Sequence, residues 1–184
     1  MDTPRPDLSV RVALAADAGS IADVQIRAWR VAYADVLPSD LLASLDREAF
    51  ASQWAEAVTK PADARNRVLV ALEGTTVTGV ALTAPADDPD AHPATDGQIA
   101  EFAVDPERTG HGHGSRLLQA CADALRADGF DRASVWVTST DDALRGFLTE
   151  AGWAPDGAHR ELDLTGDGRT RVKQVRLHTD LRED

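Results

Sequence analysis

The sequence predicts an α/β fold, a single mixed sheet with helices on its faces, and three observations lead there. The chain has 184 residues, within the roughly 100–200 expected of one domain. Strand and helix signals alternate along it. Some successive strands are joined by turns and others are separated by a helix, so hairpins and crossovers share one sheet.

The elements follow in order. Val10 to Leu14 alternates with period two and reads as the first strand. Asp17 stands where it can cap a helix whose apolar positions, Ile21, Val24, Ala28 and Val31, keep helical spacing. Pro38-Ser39-Asp40 interrupts, and Leu41 to Thr59 reads as one or two further helices ending before Pro61. Strands at Val68–Leu72 and Val77–Leu82 flank Glu73-Gly74-Thr75-Thr76, the layout of a hairpin. Pro85 to Gly97 is a thirteen-residue loop with four aspartates, expected to be solvated and the most mobile segment. A strand at Gln98–Val104 stops at Asp105-Pro106, and a helix from Ser115 to Asp128 follows a glycine cluster. Ala133–Thr138 reads as a buried strand, and Asp141–Ala151 as a short helix ended by Gly152. Trp153 to Leu181 completes the chain with two strands around Thr165–Gly168. Residues 8–181 are therefore expected to form one domain, with 1–7 and 182–184 as flexible termini.

Composition removes several classes of function. The net charge of −12 argues against nucleic acid or an anionic membrane as partner, since both require a broad cationic face. One cysteine, Cys121, excludes an intrachain disulfide and a cysteine-built zinc site. The start lacks the apolar segment of a signal peptide, and no run of 18 apolar residues occurs. A cytoplasmic protein is expected, working as a monomer or homodimer.

The most informative stretch runs from Phe102 to Leu118. Gly110, Gly112 and Gly114 stand at alternate positions directly before an amphipathic helix. Glycines allow unusual backbone angles and close approach of a ligand. The free N–H groups of the first helical turn then form an anion site, for which a pyrophosphate is a common occupant. A dinucleotide fingerprint would need its third glycine at Ser115, and a P-loop would need a lysine that is missing.

Val104-Asp-Pro106, Gly110-His-Gly112-His-Gly114 and Leu117-Leu118 resemble the cofactor motif of the GNAT N-acetyltransferase superfamily. The resemblance extends from about Val10 to Leu181 in the order of elements, including Trp29 and Tyr33 on the first helix and Phe147 and Ala151-Gly-Trp153 before the last hairpin. It implies a mostly antiparallel sheet of about seven strands, with the fourth and fifth splayed apart. It also implies acetyl-CoA as acyl donor, with its pyrophosphate on the amides of Thr109, Gly110, His111, Gly112, His113, Gly114 and Ser115, its pantetheine beside Phe102, Ala103 and Val104, and Asp141 where relatives often carry asparagine. Thr109 stands where the family has arginine or glutamine, so its amide remains but the long side chain is lost. Leu148 stands where many relatives place the tyrosine that protonates the leaving thiolate. The resemblance thus implies direct acetyl transfer to a primary amine, of a small molecule or a peptide N-terminus; the alternative is an acyl-CoA sensor with little turnover.

Each candidate residue carries two readings. Glu101 lies on an otherwise apolar strand, where a carboxylate is costly unless used or paired; it is either the base that deprotonates the amine or a structural pair. Period-two alternation assigns Ile99, Glu101 and Ala103 to one face. Trp29 and Tyr33, four apart on one helix face, either line the acceptor pocket or pack. His111 and His113 lack a third ligand at suitable spacing, so no metal is expected; they flank the phosphates or are solvated. Cys121 lies on the apolar stripe of its helix and reads as core.

Overall fold

A computed structural model of the chain describes residues 7–182. The strands are β1 Leu8–Val12, β2 Arg67–Glu73, β3 Thr76–Pro85, β4 Asp96–Val104, β5 Arg132–Thr138, β6 Ala154–Asp163 and β7 Arg171–Asp180. The helices are α1 Ala18–Ala32, α2 Ser39–Ala43, α3 Arg47–Thr59, α4 His113–Ala127 and α5 Asp142–Glu150, with short 3₁₀ turns at Ala15–Asp17 and Pro106–Arg108. One sheet runs β1-β2-β3-β4-β5-β7-β6. Only the β4–β5 pair is parallel; the other neighbours are antiparallel. The expected mixed, mostly antiparallel sheet of seven strands is thus present. No helix among the described residues is long and apolar enough to cross a membrane.

Two cores hold the layers together. On one face, Leu69 and Ala71 of β2 pack with Leu117, Cys121 and Leu125 of α4 and Leu148 of α5. On the other, Val68, Val70 and Leu72 pack with Ile21 and Val24 of α1 and Trp54 of α3. A strand covered on both faces can be apolar without alternation, as β2 is from Val68 to Leu72. Two of the α-helices begin with a side-chain cap: Asp46 accepts from Glu48 N and Ala49 N at 3.0 and 3.2 Å at the start of α3, and Asp141 from Leu144 N at 3.0 Å at the start of α5. Asp17 departs from expectation, because its carboxylate reaches back to Leu14 N at 2.7 Å and to Arg11 and makes no side-chain cap on α1.

Two β-bulges change which faces the central strands present. The β2–β3 register skips Thr78, passing from Ala71↔Gly79 to Leu72↔Val77. The β3–β4 register skips Ala100, passing from Leu82↔Glu101 to Thr83↔Ile99. The second corrects the simple alternation along β4. Ile99 packs in the α4 core, together with Phe102, whereas Ala103 packs in the α1 core. An extra residue in one strand reverses which face its neighbours point to.

The termini expected to be flexible fall outside the described residues, except Asp7 and Arg182. Asp7 O accepts from Gly74 N at 2.8 Å, and Arg182 N donates to Asp180 at 2.9 Å. The loop after β3 is largely exposed, as expected, with Asp87, Pro89, Asp90, His92, Pro93 and Ala94 open to solvent, but it is also tied down by its aspartates. Arg176 on β7 donates to Asp88 at 3.1 Å and to Asp90 at 2.6–2.7 Å, Trp136 donates to Asp88 at 3.0 Å, and Gln98 to Asp87 at 3.0 Å. The Arg176 guanidinium holds the Asp90 carboxyl down at about 2.

Candidate active site

Strands β4 and β5 pair only from Asp96↔Arg132 to Ile99↔Val135. Beyond that point β4 continues to Val104 and β5, paired with β7 along its whole length, runs on to Thr138. The two strands part, and the backbone of Phe102–Val104 faces a gap. A cavity of about 690 Å³ occupies it, lined by Phe102, Ala103, Val104, Thr109, Gly110, Gly112, His113, Gly114, Ser115 and Asp141. Of the residues expected to hold a donor, His111 is the one outside that lining. Ala28 and Val31 of α1 and Leu144 and Phe147 of α5 complete the walls. The Phe147 ring stacks on Phe102 at 6.1 Å.

The glycine loop enters α4 through two left-handed residues, Gly110 at φ 79° and Gly112 at φ 86°, a conformation that a side chain makes costly. Gly112 is the N-cap and offers no side-chain acceptor, so the first-turn N–H groups of α4 are free to meet an anion. The loop is anchored at its root. Asp105 N donates to the Thr78 carbonyl at 2.8 Å, and Arg27 of α1 donates to the Asp105 carboxylate at 2.7 Å. Although burial opposes it, the Arg27 hydrogen bonds and nearby positive charge hold the Asp105 carboxyl below its ordinary value. Arg108 is turned toward β2, where it donates to Glu73 Oε2 at 2.8 Å.

His113 is neither solvated nor a free phosphate donor. It is 2% exposed, and its Nδ1 lies 3.0 Å from Thr78 Oγ1. Contrary to expectation, a third potential ligand does stand near the two histidines. One donor atom each from Glu73, His111 and His113 lie within 4.8 Å of one another. Sequence spacing missed Glu73 because it arrives from the β2–β3 hairpin.

Glu101 sits beside the bulge on the α1 side of β4. Gln25 Nε2 donates to Glu101 Oε2 at 3.3 Å, and Trp54 Nε1 donates to Gln25 Oε1 at 2.7 Å. Burial pushes the Glu101 carboxyl up to about 7, against the opposing hydrogen bonds from Gln25, the Phe102 backbone and Trp29. Trp29 meets Tyr33 edge-to-face at 5.7 Å and Phe50 of α3 at 5.2 Å. Burial raises the Tyr33 phenol, a hydrogen bond with Thr138 opposes it, and the charges of Glu101 and Asp141 add to the rise. The first helix therefore brings Trp29, Tyr33 and Gln25 to one end of the β4–β5 gap. Gln25, Phe50 and Trp54 escaped the sequence reading, because nothing local marks residues whose partners lie on distant elements.

Two remaining expectations resolve simply. Cys121 is fully buried and burial pushes its thiol up to about 12, so it packs as a hydrophobe. Leu148 is 1% exposed within the α4 core; Ala143, Leu144 and Phe147 are the α5 residues that line the cavity.

Residues 27–153 match the sequence profile of the Acetyltransferase (GNAT) family. The chain is 28% identical over 171 residues to the uncharacterized N-acetyltransferase YuaI of Bacillus subtilis, covering 92% of this chain and 91% of that protein. Among solved structures it is similar to the YncA putative acetyltransferase of Salmonella typhimurium with acetyl-CoA (TM-score 0.70, 21% identity, 97% of this chain and 96% of that one). It is also similar to the PaiA N-acetyltransferase of Thermoplasma acidophilum in complex with coenzyme A (TM-score 0.70, 15% identity, 91% and 98%).

Proposed function

The chain belongs to the acetyltransferase (GNAT) family, a family of acyltransferases, and on that premise we propose that it transfers an acetyl group from acetyl-CoA directly to a primary amine. The observation that carries this reading is the parting of β4 from β5 beside the glycine loop, with Glu101 near pKa 7 on the same strand. A donor thioester supplies the activated acetyl group. The amides from Gly110 to Ser115 hold its pyrophosphate, with Thr109, His111 and His113 contributing backbone rather than side chains, and Asp141 closes the cleft from α5. Phe102, Ala103 and Val104, paired with β3 on one side and without a strand partner on the β5 side, present that open edge to an extended pantetheine arm, much as to a neighbouring strand.

The amine attacks only when neutral, so a base must take its proton. Glu101 serves that role: near neutrality about half of it is ionised, so it accepts a proton readily and releases it again. Gln25 orients the carboxylate and Trp54 fixes Gln25. Trp29 and Tyr33 form the aromatic wall against which the acceptor lies. Backbone N–H groups along β4 polarise the reacting carbonyl as charge grows on it. The departing thiol has an unperturbed pKa of about 8.5, so it leaves as a tolerable thiolate without a side chain at Leu148.

Residues 8–181 act in this reading as one domain of a cytoplasmic enzyme, without a nucleic-acid or membrane partner, as monomer or homodimer. The acceptor is a small-molecule amine or a peptide N-terminus. No observation favours the alternative of an acyl-CoA sensor. Release of free thiol from acetyl-CoA against a panel of amines, amino acids and short peptides tests the reading. Amine-dependent release that Glu101→Gln abolishes is the expected result; cofactor binding without release from any amine would return the sensor.

A further inference from the structure

We propose that Glu73, His111 and His113 form a binding site for a divalent transition-metal ion of the zinc class at the root of the glycine loop. The three residues come from the end of β2, the glycine loop and the start of α4, and their donor atoms already lie within 4.8 Å of one another. His113 supplies the second, independent sign. Its Nε2 is buried and makes no well-aligned hydrogen bond among the described residues, its contact with the Glu73 carboxylate being a long one; native interiors avoid such a state unless the atom has a use.

The ring is oriented for ligation. With its proton on Nδ1, His113 donates to Thr78 Oγ1 at 3.0 Å, which leaves Nε2 as a bare lone pair near Glu73. A hydrogen bond on the far ring nitrogen is how metal-ligating histidines are commonly held. The Nε2 to Glu73 Oε2 separation is 3.4 Å. Two ligands bound at about 2.0–2.1 Å with tetrahedral angles stand about 3.4 Å apart, so this pair is set for such an ion. His111 is exposed, and rotation of its own side chain brings its ring to the third vertex; water takes the fourth. Two imidazoles and one carboxylate suit zinc, cobalt or nickel, whereas magnesium and calcium prefer oxygen alone.

Arg108 is the present competitor, because it donates to the same Glu73 oxygen at 2.8 Å. Its side chain is 39% exposed, so an arriving ion can displace it. Arg108 also lines the cavity, and once released it stands beside the anion-binding amides.

The test uses the full chain after chelator treatment. Cobalt(II) is titrated while its visible d–d bands are followed, and zinc is titrated calorimetrically. One equivalent should bind with tetrahedral cobalt bands that zinc abolishes. His111→Ala and Glu73→Gln, both at accessible positions, should each weaken binding by about tenfold or more, while His92→Ala, on the loop after β3, should match the parent. Absence of stoichiometric binding, or binding that survives either site variant unchanged, overturns the proposal. Neither readout depends on acetyl transfer.

Discussion

Gln25 and Glu101, 76 residues apart, share a hydrogen bond of 3.3 Å from the amide Nε2 to the carboxylate Oε2. The amide cannot flip, because its other end accepts the Trp54 indole N–H at 2.7 Å. Gln25 therefore always presents a donor to Glu101 and favours the ionised form, while burial favours the neutral one. The balance of these two effects leaves the carboxyl near 7.

Removing the donor should move that balance. Gln25→Leu keeps a similar volume but withdraws the N–H, so Glu101 should hold its proton to higher pH. The acid limb of the kcat/KM profile should shift upward, and activity at pH 7 should fall about threefold or more. Trp54 would also lose its acceptor, costing about 1–2 kcal/mol of stability. A limb that stays in place would detach Gln25 from the titrating group.

Glu101 should burden the fold at neutral and alkaline pH. Its folded pKa near 7 lies above the ordinary value of 4.5, so the native state binds more protons than the unfolded chain between those values. Stability then falls as pH rises through that window and levels off above it. Glu101→Gln should lower turnover by about 10²–10⁴-fold yet stabilise the protein at pH 8 by about 1–3 kcal/mol. Urea midpoints of parent and variant at pH 5 and pH 8 give the comparison, and equal pH dependence of the two would contradict the assignment.

At the glycine loop, Gly112→Val introduces a branched side chain at φ 86°, with its Cβ 2.7 Å from Arg116 Nη1. The guanidinium is exposed and can move away, but the backbone strain remains, at roughly 1–2 kcal/mol. The fold should persist while coenzyme A affinity drops about tenfold or more, because the loop can no longer hold its amides in place. Unchanged affinity by calorimetry would take the loop out of the donor site.

Leu148→Tyr should not add an acid to the reaction. The leucine is 1% exposed in a packed core, so the larger ring overpacks it at a cost of about 1–3 kcal/mol, and its hydroxyl lacks a ready partner. A lower melting temperature with no gain in thiol release at pH 7 or pH 9 is the expected outcome. A faster variant would mean that the ring reaches the cavity.

Arg176 should carry much of the order in the loop after β3. Its side chain, 10% exposed, contacts Asp88, Asp90 and Asp156. Arg176→Met leaves Asp88, 7% exposed, with charge met only by the Trp136 indole and a longer contact of 4.0 Å with Arg160. The cost should be about 3 kcal/mol, visible as a lower melting temperature and as faster hydrogen exchange in residues 86–95. Unaltered exchange there would show that the loop is held by other contacts.

Much of this protein was legible without coordinates. The order of strands and helices, the hairpin around Gly74, the helix after Gly112 and the place of Glu101 on an otherwise apolar strand could all be read along the chain, while the splaying of the fourth and fifth strands followed from the family resemblance. Periodicity, turn chemistry and capping act over a few residues, so local sequence determines them. The second face of β4 was read wrongly for the same reason. Alternation alone assigns Ile99 and Ala103 to one side, whereas the bulge that skips Ala100 arises from pairing with β3.

Tertiary structure decided the rest. Gln25 meets Glu101, Glu73 meets His113, and Arg176 gathers aspartates from a loop 86–88 residues earlier. Each contact depends on which strand lies beside which and on which face a bulge presents. The polar partners were chosen by burial, since a charge or ring nitrogen removed from water must find a counterpart within a few ångströms. A residue's own neighbours in sequence carry no record of which distant element the packed sheet will bring to it.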